Sequence, residues 1–448
     1  MAFGSCRTIS STECAAVTRG TMETLRFLLA TTFYPPYHLG GDAVHVQYLA
    51  EALAARGHEV HVEFSPAAYR LKRRGTPPRG ATNHDVRIHP IPSPFGRAQP
   101  IAAYAFGRSA GVSRSHEALV REIRPDVVHV HNISLLGLGV LKRPPDALMV
   151  YTAHDYWARC PRSDLLKYGK RPCETPSCVA CCLVSRRPPQ LWRFGKRWRG
   201  LPGLDLAIAP SRFMAGAIGP SLRCPVVHIP NFAPDPNPEG TLSEPEDYFL
   251  FVGVMEPHKG LPIIADAATR PGPLKSKIVG QGSLERSLKL LQSQGVARLD
   301  MEGWVSRERL SQLYRRARAL LIPSIWPENA PLVAVEALAW GAPLLTSRWG
   351  GLEELLYGGA TGRAFEPTGD GLVTAVEAFL ADDLPHKLRS ACRGAFVANH
   401  RPETYVDRYM EIVRKQRVAA PTPHPEYSPF AGQDTRVPVV TSSSGVSP

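Results

Sequence analysis

The chain has 448 residues, 44% apolar and 21% charged, with 53 Lys and Arg against 40 Asp and Glu for a formal charge of +13. That mix excludes a fully disordered or collagen-like chain, and the length exceeds what one hydrophobic core usually supports, so two domains are expected. No apolar run approaches the ~20 residues needed to cross a bilayer, and the polar N-terminus lacks the apolar stretch of an export signal. A cytoplasmic protein is expected, with the excess of cations suited to an anionic partner or membrane surface.

In chain order, residues 1–21 show no periodicity and read as disordered. From there short β-branched or apolar runs alternate with amphipathic segments. Strands are predicted over Arg26–Phe33, Glu59–Phe64, Val86–Ile91, Val127–His131, Ala147–Thr152, Leu206–Ala209 and Val226–Ile229. The first helical pattern, His45–Arg56, stops at Gly57. Residues 233–246 are rich in proline and turn formers and mark a linker. Alternation then restarts, with strands over Tyr248–Val254, Lys277–Val279, Leu299–Glu302, Ala319–Ile322 and Pro343–Thr346. The intervening helices start at Leu261 or span Leu284–Gln294, Arg307–Arg318 and Leu332–Trp340. Strands alternating with helices mean βαβ units and parallel sheets, so the fold class is α/β. Two doubly wound, Rossmann-like domains are expected, over 22–232 and 247–400, facing each other across a cleft. A helix over 401–417 can cross back to the first domain, and 418–448 reads as a disordered tail.

Ligands of such sheets sit at the carboxyl ends of the strands. Four segments there carry chemistry. In Tyr34-Pro-Pro-Tyr-His-Leu-Gly-Gly-Asp42, Gly40 and Gly41 let backbone approach a ligand, and the helix behind them offers free N–H groups to a phosphate. In Thr152-Ala-His-Asp-Tyr-Trp157, His154 can hydrogen-bond a hydroxyl or a developing charge, with Asp155 orienting it. In Phe251-Val-Gly-Val-Met-Glu-Pro-His-Lys-Gly260, Lys259 is a flexible cation at a helix start, a placement an anion would favour. In Pro327-Glu-Asn-Ala-Pro-Leu-Val-Ala-Val-Glu336, Pro331 suits a first helical turn, and the amides near Ala330 and Leu332 can face an anion. Glu328 precedes that helix, and Glu336 sits in an apolar stripe where an unpaired carboxylate is expensive.

Together these segments resemble the retaining GT-B glycosyltransferases of family four over most of Leu25 to Arg414. The Glu328-x7-Glu336 pattern is the most specific element, echoed by Ala209-Pro-Ser211, Ile229-Pro-Asn231 and Ile278-Val-Gly-Gln-Gly282. The resemblance implies transfer of a sugar from a nucleotide diphosphate sugar to an acceptor hydroxyl. The donor would be bound by the second domain and the acceptor by the first. By it Gly41 contacts the donor phosphate, His154 the sugar, Lys259 the diphosphate, Glu328 the sugar and Glu336 the ribose. Asn329, Ala330, Pro331 and Leu332 complete the donor site. The family often carries an arginine directly after the strand glycine; here Val254 stands there. No Asp-x-Asp motif lies near the site, so no catalytic metal is implied. The other readings are a nucleotide-sugar epimerase or phosphorylase on the same architecture, and a zinc-containing nucleic-acid-binding protein. No Gly-x-Gly-x-x-Gly follows a strand, which argues against a dehydrogenase.

Five of the nine cysteines fall between Cys160 and Cys182, in an insertion over 157–184. Cys160, Cys173, Cys178 and Cys181, with Cys182 able to substitute, can close a structural zinc site or carry an iron–sulfur cluster. Next, Arg186–Arg199 holds six basic residues and no acidic one, interleaved with Trp192, Phe194 and Trp198. That pattern suits an anionic membrane surface or a lipid-diphosphate acceptor, or equally a helix whose aromatics face the core. Nucleic acid is not the expected partner.

Overall fold

The computed structural model describes residues 23–73, 85–193, 200–295 and 298–419. The tails read as disordered therefore lie almost wholly outside the described residues. Strands β1 (Arg26–Ala30), β2 (Glu59–Phe64), β3 (Val86–Pro90), β4 (Val127–Val130) and β5 (Leu148–Thr152) come first. A separate antiparallel pair follows, β6 (Leu166–Lys167) and β7 (Arg171–Pro172), and then β8 (Leu206–Ala209) and β9 (Val226–His228). The first sheet is parallel, in the order β3-β2-β1-β4-β5-β8-β9. The second contains β10 (Phe249–Val252), β11 (Ser276–Val279), β12 (Leu299–Gly303), β13 (Leu320–Ile322), β14 (Leu344–Ser347) and β15 (Gly362–Phe365). It is also parallel, in the order β12-β11-β10-β13-β14-β15.

These are the two Rossmann-like sheets expected. In each, the strand order reverses beside the first strand, between β1 and β4 and between β10 and β13. That reversal opens a crevice at the carboxyl ends of the strands. Two details differ from the sequence reading. β1 ends at Ala30, because the Thr32 amide leaves the ladder for the carbonyl of Asn132. β15 was not anticipated: Gly362 and Arg363 interrupt its apolar pattern. The glycine is needed, since a Cβ there would lie 1.9 Å from the Leu344 carbonyl oxygen.

One apolar cluster runs through both units, joining Val46 and Leu49 of the first helix (Gly41–Ala55) to Leu332 and Val335 beyond β13. The last helix, Pro402–Ala419, returns to the first unit and buries Tyr405 and Tyr409. The connecting stretch is not a loose tether. The Ala233 amide bonds the His400 carbonyl, and Asp235 accepts from Arg393 Nη1 and Nη2 at 2.8 Å and from Arg401 Nε at 3.0 Å. No described helix is long and apolar enough to cross a membrane.

Candidate active site

Two helix N-termini, one from each unit, meet at the crevice. Gly40 precedes the Gly41–Ala55 helix and Pro331 precedes the Leu332–Ala339 helix, and neither supplies a side-chain cap. Elsewhere Ser211 and Ser306 cap their helices in the usual way. A Cβ on Gly41 would lie 3.5 Å from Leu332 Cδ1, an ordinary contact distance, so the two helix ends sit side by side. The first amides of each helix have no intrahelical acceptor and carry the positive end of a dipole equivalent to roughly half a charge. The Ala330 amide, expected to face an anion, is instead taken by Asn329 Oδ1 at 2.6 Å. Asn329 Nδ2 donates to the His154 carbonyl at 2.7 Å, and Asn231 Nδ2 to the Ala330 carbonyl at 2.7 Å. Each bond ties the first unit to the second.

Lys259 ends a short 3-10 turn, Pro257–Lys259, after β10. Gly260 follows at φ 79°, and a Cβ there would fall 1.8 Å from the Pro323 carbonyl oxygen. That close approach brings Lys259 and Glu328 together, which sequence reasoning had treated as separate. Lys259 Nζ donates to Glu328 Oε1 at 2.6 Å and lies 5.0 Å from the Trp326 ring centre. The same carboxylate oxygen accepts from Ser324 Oγ at 2.7 Å and Trp326 Nε1 at 2.8 Å. Burial pushes the Glu328 carboxyl up, but Lys259 and these donors outweigh it and hold it below the usual range. The ammonium has three N–H donors, of which Glu328 takes one.

Glu336 sits one turn into the Leu332–Ala339 helix. Its Oε2 accepts from Tyr314 OH at 3.0 Å, which supplies part of the partner its apolar surroundings demand. Burial still leaves its carboxyl above the usual value, with Tyr314 and Arg307 pulling it back. Arg307 Nη2 in turn donates to Tyr48 OH of the first helix at 2.8 Å.

Histidines cluster where β4 and β5 end. His131 Nδ1 and His154 Nε2 share a proton at 3.0 Å. Tyr409 OH bonds His129 Nδ1 at 3.0 Å, and His129 Nε2 meets Thr152 Oγ1 at 2.8 Å. His45 packs edge-on to His154 at 5.0 Å. Burial pushes His154 down to about 4, against a smaller upward pull from Asp42, so its ring is neutral at pH 7. Asp155 does not orient it as expected. Its Oδ1 accepts from the Trp157 amide at 2.8 Å, and burial raises its carboxyl to about 7. His131 holds the His154 ring instead. The His129-Val-His131 pattern at a strand end was the signal for this partner.

The loop after β14 was also missed, although Trp349-Gly-Gly-Leu-Glu-Glu354 puts paired glycines directly after a strand. The Gly351 amide donates to the Glu328 carbonyl at 2.6 Å. Glu354 accepts from the amides of Arg212 and Phe213 at 2.9 and 2.8 Å, capping a helix of the other unit. A Cβ on Gly351 would lie 1.8 Å from the Asn329 carbonyl oxygen and 2.6 Å from Ser211 Cβ. Gly351→Ala is therefore expected to destabilise by about 1–3 kcal/mol through overpacking. Gly216→Ala, in a helix with nothing within 4 Å of the new Cβ, should leave the melting temperature level or raise it. Equal melting temperatures for both variants would refute the tight seam.

Of the basic segment, residues 194–199 lie outside the described residues. Trp192 and Arg193 face inward rather than toward a membrane. Trp192 Nε1 donates to the Tyr104 carbonyl at 3.2 Å, and Arg193 Nη2 donates to the carbonyls of Trp157 and Ala158 at 2.5 and 3.0 Å. The cysteines of the insertion are free thiols, and among the described residues no group of three or more His, Cys, Asp or Glu side chains is already arranged to hold a metal ion.

Comparison with known proteins agrees with this geometry. The model described as Glycosyltransferase Family 4 matches residues 39–234, and that described as Glycosyl transferases group 1 matches residues 236–395. The chain is 27% identical over 391 residues to glycogen synthase of Mycobacterium tuberculosis, covering 80% of this chain and 86% of that one. It is 27% identical over 303 residues to the lipopolysaccharide 1,2-N-acetylglucosaminetransferase of Salmonella typhimurium, covering 64% and 72%. Among solved structures, sucrose-phosphate synthase of Thermosynechococcus elongatus superposes with a TM-score of 0.65 at 18% identity, covering 88% of this chain and all of that one. Anabaena HepE in complex with UDP gives a TM-score of 0.58 at 16% identity, covering 88% and 100%. The chain belongs to the family-four glycosyltransferases with the GT-B arrangement of two Rossmann-like units.

Proposed function

We propose that this enzyme transfers a sugar from a nucleoside diphosphate sugar to an acceptor hydroxyl, with retention of anomeric configuration. The observation that carries the donor class is the meeting of two uncapped helix N-termini at Gly41 and Leu332, with Lys259 bonded to Glu328 just ahead of the second. A diphosphate is the ligand such an arrangement favours. Solved structures of HepE with UDP and with UDP-glucose lend weight to a uridine nucleotide. Glu336, buried with one oxygen on Tyr314, is suited to the ribose hydroxyls. His154, neutral and held by His131, is suited to a sugar hydroxyl rather than to supplying charge.

Retention is what the family resemblance implies, and the carboxylates bear only on the route to it. Glu328 Oε1 is bound by three donors and Asp155 by the Trp157 amide, so neither is presented as a nucleophile. In the reaction proposed, the bond from the anomeric carbon to the phosphate oxygen breaks. The acceptor oxygen bonds that carbon on the same face, and its proton passes to the departing phosphate oxygen. The protein's part is to align both reactants and stabilise the growing diphosphate charge.

A thermal-shift panel of UDP-, GDP-, ADP- and dTDP-sugars tests the donor, since binding to the folded state raises apparent stability. One of them should raise the melting temperature in a concentration-dependent way; a flat response to all four would refute the reading. Product anomers assigned by NMR test retention. Glu336→Ala should weaken donor binding about 10-fold to 100-fold, the loss of charge-assisted hydrogen bonds. Its kcat should fall far less, because a ribose contact binds ground and transition states alike. An unchanged donor Kd would remove Glu336 from the site.

A further inference from the structure

We propose that the insertion between β5 and β8 holds a zinc ion on the sulfurs of Cys160, Cys173, Cys178 and Cys181. The insertion has little with which to stabilise itself. Its regular structure is the two-residue strands β6 and β7 and the seven-residue helix Cys178–Val184. It nevertheless holds three non-glycine residues in the left-handed region, Ser163 at φ 69°, Leu165 at 53° and Tyr168 at 57°. Each costs roughly 1 kcal/mol or more, and a segment this small buries too little apolar surface to offset that. A crosslink would supply what the core lacks.

The strained turns have a visible result: they aim backbone amides at sulfur. The Tyr168 amide donates to Cys181 Sγ at 3.1 Å. The amides of Arg162, Asp164 and Leu165 bond Cys160 Sγ. These amides hold the two sulfurs in place, and such outer partners are what metal-ligating groups commonly have. The four thiols are also neighbours. Cys160, Cys173 and Cys181 all lie within electrostatic reach of Cys178, and Cys160 and Cys181 within reach of Cys173. The four sulfurs do not yet converge. Cys173 and Cys178 are half-buried, on a loop and a first helical turn, where a change of χ1 redirects a sulfur without moving its Cα. Four thiolates, two of them at i and i+3 of one helix, suit tetrahedral zinc with bonds of about 2.3 Å.

The ion would brace the active-site loop. The Ser163 carbonyl accepts from the Tyr156 amide at 3.2 Å, and the Ser163 amide donates to the Cys160 carbonyl at 2.9 Å. Ser163 also bonds Asp155. The cysteine turn thus holds the residues directly after His154. This inference does not depend on the donor assignment.

Elemental analysis of the purified full chain should find one zinc per molecule. Cys173→Ser and Cys178→Ser should each abolish it, while Cys224→Ser and Cys392→Ser keep it. Should the ligand variants fail to fold, wild-type protein exchanged into cobalt should show the visible absorption of a tetrahedral thiolate complex. A native-state thiol titration should then find the four ligands protected until the metal is chelated. Metal-free protein with these thiols freely reactive would overturn the proposal. So would a disulfide among them by intact mass, or an iron chromophore in place of zinc.

Discussion

Lys259→Ala should lower kcat/KM by about 100-fold to 1000-fold, the scale seen when a preorganised charge on a leaving group is removed. Stability should fall with it. The side chain of Glu328 is 4% exposed, and its charge is balanced by Lys259 at 2.6 Å. Removing one partner of a buried pair strands the other, at about 3–5 kcal/mol. The stranded carboxyl should rise from its depressed value, because burial, the one influence pushing it up, loses its main opponent. In the intact protein a depressed carboxyl adds stability that is present above its unfolded pKa and lost as pH falls through the folded value. Lys259→Ala should therefore lose that part of its acid dependence. Adding Glu328→Gln to Lys259→Ala separates the two roles. The neutral amide keeps an acceptor for Ser324 and Trp326, so the melting temperature should recover while kcat/KM stays low. Recovery of both, or of neither, would mean that the pair does not work as described. Thermal melts across pH and steady-state kinetics on the three variants decide it.

Lys259, Glu328, His154 and the Gly40–Gly41 turn were legible in the sequence because each follows a short apolar run at a predictable offset. A parallel strand fixes where its successor loop opens. The alternation also sufficed for every strand of both sheets except β15. What the sequence left hidden was pairing across the crevice. Lys259 and Glu328 are 69 positions apart and meet only because Gly260 lets its turn press against Pro323. Asp155 stands beside His154 in sequence, and that adjacency suggested a partnership. Loop geometry instead turns Asp155 to the Trp157 amide, and the register of β4 against β5 brings in His131. Trp192 and Arg193 carried a surface pattern, yet Trp192 bonds the Tyr104 carbonyl and Arg193 ties down the carbonyls after β5. An alternation of aromatic and cationic residues does not say which way a chain faces. The nucleic-acid reading drew on net charge and thiols alone, and it falls to a family match that accounts for the strand-end motifs.

The connecting stretch yields the other large expected effect. Asp235 lies in the proline-rich stretch that the sequence marks as a linker, yet it holds two arginines of the C-terminal region. The side chain of Arg393 is 8% exposed, and that of Asp235 is 14% exposed. Asp235→Ala would leave the Arg393 guanidinium with the carbonyls of Asn237 and Ala339 and no counter-charge. The expected loss is about 3 kcal/mol or more, and at roughly 2–4 °C per kcal/mol the melting temperature should fall by about 6–12 °C. The pH dependence has a definite sign. Burial raises the Asp235 carboxyl, but Arg393, Arg401 and the Asn237 amide bring it below the usual value. The wild type therefore has the full contribution above the ordinary aspartate value of about 4 and loses it as pH falls through the folded one. The gap between wild type and Asp235→Ala should narrow over that range. Activity should suffer as well. Asn231, four residues earlier, bonds both the His400 ring and the Ala330 carbonyl beside the donor helix, so releasing Asp235 slackens the strap that holds Ala330. A variant that melts within a degree of wild type at neutral pH would show that the connection is not pinned. A variant that melts early but keeps full kcat/KM would show that the strap does not set the position of the Ala330 turn.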